Sequence, residues 1–210
     1  MTKHPLSVGG FTYVLLDTCV LIPSRLSDVL FDLMLDGLFY VFWTADIEKE
    51  FLKNWPLVHT RAPSAGPRRL SAFKNAAIPG HLISNYSSQR VMRQVPNKVH
   101  PSDRHVIAAA LVLAETCGRE GTAHDKIFVV SDNTKDLAPR EVQKRGISVL
   151  SAGAFLDEIY TAASQRCIAA VNRSLSELKR PPYTRLEMIR SLRLHRATRL
   201  ANGLRTAWKE

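Results

Sequence analysis

At 210 residues, 45% of them apolar, the chain is long enough for one well-filled core and a small appendage, and too short for two full domains. Its longest apolar run, residues 106–114, falls well short of a membrane span, and residues 1–10 lack the apolar centre of a signal peptide, so a cytoplasmic protein is expected. The formal net charge of +10 is uneven: residues 161–210 hold eleven Lys or Arg against three Glu, leaving +8 in the tail and +2 elsewhere. Such a tail either attracts a polyanion, nucleic acid before an acidic protein, or serves only as a solvated helix face.

In chain order, residues 1–10 read as a flexible lead-in. The run Tyr13-Val14-Leu15-Leu16 then stops on Asp17 and Thr18, as a buried strand delivering a carboxylate to one sheet edge would. Leu26, Val29, Leu30, Leu33, Met34 and Leu38 recur at helical spacing, with Gly37 suited to a C-terminal cap. A short strand follows over 40–43. Thr44 then caps a helix with Asp46 and Glu48 in its first turn, Ile47, Phe51 and Trp55 in its buried stripe, and Glu50 beside that stripe.

Pro63, Gly66 and Pro67 mark a loop, residues 68–77 a helix, and Pro79-Gly80 its end, while residues 81–100 give no readable pattern. Ser102 or Asp103 caps a helix over 106–116 that is expected to stop at Gly118. A second buried strand, 127–131, ends on Asp132, a short helix falls within 135–144, and 147–150 is a further strand. Beyond Ala152 the pattern is helical throughout. One long amphipathic helix stops at Arg180-Pro181-Pro182, and a final helix opens with a Thr184 and Glu187 capping box and carries Leu186, Ile189 and Leu192.

Strands alternating with helices imply a mostly parallel α/β sheet with right-handed crossovers, here with a C-terminal helical hairpin. Residues 11–152 would be the main domain and 153–210 a basic helical extension. In such a fold strand ends and the next helix starts share one rim, so Asp17, Glu50, Asp103 and Asp132 can converge. Four carboxylates together repel unless a cation joins them, and hard ions such as Mg²⁺ or Mn²⁺ take oxygen ligands. Singly, Asp17 and Asp103 also read as caps, Glu50 as a solvated helix residue and Asp132 as turn chemistry. Cys19, Cys117 and Cys167 are odd in number and widely spaced, which suits buried reduced thiols, and no Cys and His spacing suggests zinc.

The ordered set Leu-Leu-Asp-Thr-Cys, Asp-Ile-Glu-Lys-Glu, Pro-Ser-Asp-Arg-His before Val-Ile-Ala-Ala-Ala, and Val-Val-Ser-Asp-Asn-Thr-Lys-Asp-Leu resembles the PIN domain over about residues 11–152. The helices after it resemble the extension of one branch of VapC-type toxins. The resemblance implies a PIN-like α/β/α sandwich and a Mg²⁺- or Mn²⁺-dependent endoribonuclease, the toxin of a type II toxin-antitoxin pair. Asp17, Glu50, Asp103 and Asp132 match the family's acidic metal-holding positions, Glu50 being preferred over Glu48. Thr18 and Ser131 match hydroxyl positions, and Asn133 and Asp136 the polar positions of the last block. In many members the fourth acid falls one residue later, where this chain has Asn133, so the fourth seat lies with Asp132 or is shared with Asp136.

Arg104, with Arg190 and Arg193 of the tail, would hold the RNA backbone. An RNA substrate, a small antitoxin and a homodimer are the partners this implies, with no membrane. One alternative is a PIN-like shell that binds RNA or protein without hydrolysis, although all four acids are intact. A phosphotransfer receiver would want paired acids after the first strand, and a nicotinamide dehydrogenase would want its glycines after that strand rather than before it, where Val8-Gly9-Gly10 stands.

Overall fold

The computed structural model describes residues 11–120, 125–178 and 183–210. Five strands form one all-parallel sheet: β1 (Thr12–Leu16), β2 (Tyr40–Thr44), β3 (Leu82–Ile83), β4 (Lys126–Val130) and β5 (Ile147–Leu150), in the spatial order β3-β2-β1-β4-β5. Strand pleating divides the core. Val14, Leu16, Val41, Trp43, Phe128 and Val130 point to one face, and Leu15, Phe42, Ile127 and Val129 to the other. Burial on both faces explains why these strands read as unbroken apolar runs.

The first face carries α1 (Thr18–Leu21), α2 (Ser24–Leu35), α3 (Ala45–Val58) and α4 (Gly66–Ala76); the second carries α5 (Gln89–Met92), α6 (Arg104–Glu120) and α7 (Pro139–Gln143). The chain is thus the α/β/α sandwich expected from its sequence. Because successive strands are laid down first on one side of β1 and then on the other, the order reverses between β1 and β4. That junction is the topological switch point, where open parallel sheets leave a crevice at their carboxyl edge.

Local signals account for several element ends. Thr44 Oγ1 accepts from the Ile47 amide at 3.2 Å to open α3, and Gly37 takes φ +71° behind α2, where its amide meets the Met34 carbonyl. Gly118 does not end α6, which continues to Glu120: apolar packing of its first turns against the sheet outweighs one glycine's helix cost of about 1 kcal/mol. The segment between Ile83 and Pro101 holds only the short α5, and its shape is set from outside. The Arg104 guanidinium donates to the carbonyls of Met92 (3.0 Å), Val95 (3.4 Å) and Pro96 (3.4 Å).

After β5 come α8 (Ala152–Glu177), which bends at Ala163, then α9 (Arg185–Leu194) and α10 (Thr198–Trp208). The α9 capping box is present as expected, whereas Leu186 lies outward at 45% exposure and the Arg180-Pro181-Pro182 stop lies outside the described residues. The expected single closing helix is two helices. They are split at Arg196, which adopts φ +62°, a left-handed conformation unusual for a residue with a side chain. These helices do not stand apart from the sandwich: Phe155 packs edge-on against Phe39 and Phe128, and Met188, Ile189, Leu200, Leu204 and Trp208 belong to the same apolar cluster as α2 and β1. No helix among the described residues is long and apolar enough to cross a membrane.

Candidate active site

The carboxyl ends of β1 and β4 lie side by side at the switch point. Backbone pairing sets their level, since the Asp17 amide donates to the Val130 carbonyl at 3.0 Å and the Ser131 amide to the Leu150 carbonyl at 3.0 Å. Asp17 leaves β1 in extended conformation, and its Oδ1 accepts from the Thr18 amide at 2.6 Å as the cap of α1. Its Oδ2 accepts from the Ser131 hydroxyl at 2.6 Å and from the Cys19 thiol at 3.3 Å. The capping role and the site role thus belong to one carboxylate.

Two further acids are tied to this centre. The buried Thr18 hydroxyl donates to Glu50 Oε2 at 2.8 Å, holding the exposed side of α3 to the end of β1. Asp103, at the end of the helical turn Pro101–Asp103 that precedes α6, accepts from the Asn133 side-chain amide at 3.2 Å and from the Ser102 hydroxyl at 2.9 Å. The Asn133 backbone amide in turn donates to Ser131 Oγ at 3.1 Å. Asp17, Glu50 and Asp103 therefore belong to one hydrogen-bonded chain through Thr18, Ser131 and Asn133.

The other two proposed members sit differently. Asp132 turns from this chain: its Oδ1 accepts from the Ala152 amide at 3.1 Å, at the first turn of α8. Asp136 lies in the helical turn Thr134–Leu137, where its backbone carbonyl accepts from the His100 amide at 2.8 Å. The amide of Asn133, rather than either acid, faces Asp103. Arg104, expected to grip RNA, instead points inward to the three carbonyls described above; the preceding segment supplies acceptors that a solvated arginine would lack. Arg190 is exposed, and Arg193 donates to Asn202 at 3.0 Å on the surface.

His105 joins the site without having been singled out in the sequence. In the first turn of α6, its Nδ1 meets the Ser102 carbonyl at 2.9 Å, and its Nε2 stands 3.7 Å from Glu50 Oε1 with no hydrogen bond of its own. Its only sequence signal is its place two residues after Asp103 at a helix start. Cys19 is a structural member rather than a nucleophile. Burial, and next the Asp17 charge, push its thiol up to about 12, and it accepts from the Asp132 amide at 3.2 Å. Cys117 and Cys167 are buried, Cys19 partly so, and none of the three forms a disulfide among the described residues.

Charge balance is the informative quantity. Among the described residues no ion pair joins a Lys or Arg to Asp17, Glu50, Asp103 or Asp132, although Lys and Arg outnumber Asp and Glu in the chain. Also among the described residues, no three His, Cys, Asp or Glu side chains stand close enough to hold an ion between them. The donors are nonetheless of the type that fits a hard divalent ion, which keeps several waters and needs only one or two direct carboxylates. Compared with known proteins, the chain matches no family model, no curated protein and no solved structure.

Proposed function

We propose that this chain is a PIN-like, Mg²⁺- or Mn²⁺-dependent endoribonuclease that acts as the toxin of a type II toxin-antitoxin pair. The observation that carries the reading is the row Asp17, Glu50 and Asp103 at the switch point, ordered by neutral donors and left without a Lys or Arg counter-charge among the described residues. Carboxylates without a Lys or Arg counter-charge favour a divalent cation, and the basic tail favours a polyanionic substrate.

Asp17 and Asp103 would hold the ion directly and Glu50 would orient its waters, with Thr18, Ser131 and Asn133 fixing the carboxylates as outer partners do in metal sites. When bound, Mg²⁺ or Mn²⁺ supplies a Lewis acid that polarises the phosphodiester and lowers the pKa of water. Glu50, positioned by Thr18 and faced by His105, takes the proton of the attacking water. The water oxygen bonds to phosphorus as the opposite P–O bond breaks, and the leaving oxygen is protonated from solvent. Arg190 and Arg193 draw the RNA backbone by charge. An antitoxin and a second copy of the chain are the protein partners this reading implies.

The test is cleavage of labelled single-stranded RNA by the purified chain with Mn²⁺ and with a chelator. Asp17→Asn is expected to lower the rate by about 100-fold or more, the scale seen when a preorganised charge is removed from such a site. A folded Asp17→Asn protein that cleaves fully, or cleavage indifferent to chelation, refutes the proposal and leaves the non-hydrolytic binding shell.

A further inference from the structure

Beside the carboxylate row lies a pocket of about 260 Å³ lined by Asp132, Ser151, Leu194, His195 and Arg196. It joins the end of β4, the start of α8 and the corner between α9 and α10. Asp132 is the residue between Ser131, which holds Asp17, and Asn133, which holds Asp103, so the pocket shares its backbone segment with the proposed reaction centre. Its volume falls below the roughly 300 Å³ at which sites for drug-sized ligands begin, a size suited to a single small ring system.

The walls specify the chemistry of the occupant. Asp132 Oδ1 is held by the Ala152 amide, and Oδ2 has no hydrogen bond among the described residues. The Arg196 and His195 side chains also make no hydrogen bond or ion pair among the described residues. A free carboxylate edge thus shares a small space with a free guanidinium, an imidazole and the apolar Leu194, which is 83% exposed. A phosphate would be repelled by Asp132 and an ammonium by Arg196. A neutral ring with donors along one edge and acceptors along another satisfies both. Among the nucleobases, guanine offers paired N–H donors to a carboxylate and the paired acceptors O6 and N7 to an arginine fork.

The corner is also rigid. Arg196 is held at φ +62°, its amide donates to the Arg193 carbonyl at 2.9 Å, and the Ala197 amide donates to the Leu192 carbonyl at 2.9 Å. The His195 carbonyl rests on Gly153, where an added Cβ would come within 1.9 Å of it. Left-handed backbone at a non-glycine residue persists only where the surroundings impose it. Here they fix the Arg196 backbone at the wall of the pocket.

We propose that this pocket reads a guanine base of the RNA strand next to the scissile bond, Arg196 and Asp132 pairing with its edges and His195 and Leu194 covering its ring. This rests on the ribonuclease reading and adds a sequence preference to it.

The experiment has a cleavage arm and a binding arm, both on the full chain. In the first, single-stranded oligonucleotides carrying each of the four nucleotides beside the cut are cleaved with Mn²⁺. Guanosine at one position is expected to raise kcat/KM by about tenfold or more, with Arg196→Gly and Asp132→Asn each bringing the ratio near one. Arg196→Gly suits the left-handed backbone, and thermal unfolding checks that both variants fold. In the second arm, binding of GMP, AMP, CMP, UMP and a guanosine-containing oligonucleotide is measured under chelation. A chain that cleaves no RNA but binds the guanosine-containing oligonucleotide best, with loss in Arg196→Gly, refutes the ribonuclease reading and keeps the pocket. Equal handling of the four bases in both arms overturns the pocket, and GMP binding tighter than the oligonucleotide overturns its assignment to RNA.

Discussion

The Thr18 hydroxyl donates to Glu50 Oε2 across 2.8 Å, and Thr18 is the residue that follows Asp17 at the end of β1. One buried hydroxyl therefore sets the spacing between the first two acids. Replacing Thr18 by Val keeps the shape and removes the donor. A lost hydrogen bond to a carboxylate costs about 1.5–3 kcal/mol when its partner stays buried; Glu50, at 41% side-chain exposure, can turn to water, so about 1 kcal/mol is expected. Urea unfolding measures this, while the accompanying fall in RNA cleavage should exceed what the stability change explains.

Ser131 is fully buried and its hydroxyl donates to Asp17, accepts from the Asn133 amide and lies 3.4 Å from the Cys19 thiol. Ser131→Ala strips all three contacts at once. A loss of about 2 kcal/mol is expected in chemical unfolding, larger than for Thr18→Val because nothing replaces the lost bonds in the closed core.

A divalent ion held by the acids stabilises the fold by mass action. At a concentration 100 times its dissociation constant the gain is about 2.7 kcal/mol, or roughly 5–10 °C in Tm for a chain of this size. Calorimetry with increasing MnCl₂ should show a rise that Asp17→Asn and Glu50→Gln reduce. An unchanged melting curve for the native chain argues against the ion.

Asp32 on α2 gives a pH signature away from the site. Burial pushes its carboxyl up to about 6, with the Ser174 hydrogen bond opposing and the Asp28 charge adding. Because the folded pKa lies above the unfolded one of about 4, the native state holds the proton more tightly. This favours folding below pH 4 and is lost as pH rises through about 6. Asp32→Asn should therefore match the native chain near pH 4 and exceed it above pH 7 by about 1–2 kcal/mol, after allowing for partial solvent screening. Tm measured at the two pH values checks the sign.

Gly153 permits the α9–α10 corner to lie on α8. Gly153→Ala would drive a methyl group into the His195 carbonyl and the Arg196 and Ala197 backbone. Over-packing against backbone is expected to cost about 3 kcal/mol or more, with limited proteolysis cutting first within residues 185–208.

Strands and long helices were legible because burial wrote itself into local pattern: Leu15 and Leu16 face opposite sides of the sheet and are both fully buried. What local pattern could not show was set at a distance. The loop before Pro101 takes its path from the Arg104 guanidinium, and α10 begins anew because Gly153 and Arg196 meet across some forty positions of sequence. At the site, the row of Asp17, Glu50 and Asp103 followed from strand ends and helix starts, whereas the turning of Asp132 toward the Ala152 amide depended on where α8 begins. His105 was missed because a histidine early in a helix has no pattern that separates it from a solvated one.

The apolar cluster shared by α2, β1 and the three last helices orders events during synthesis. A nascent chain that has reached only β5 has its sheet, its switch point and its acids, but still bares the side of α2 and β4 that Phe155, Ile189 and Leu204 will cover. Closure of that face requires α8, α9 and α10 together, so the packing behind the acidic rim is completed by the last described elements of the chain. For a chain proposed to attack RNA, the stability of the acidic rim is thereby tied to the docking of its C-terminal helices.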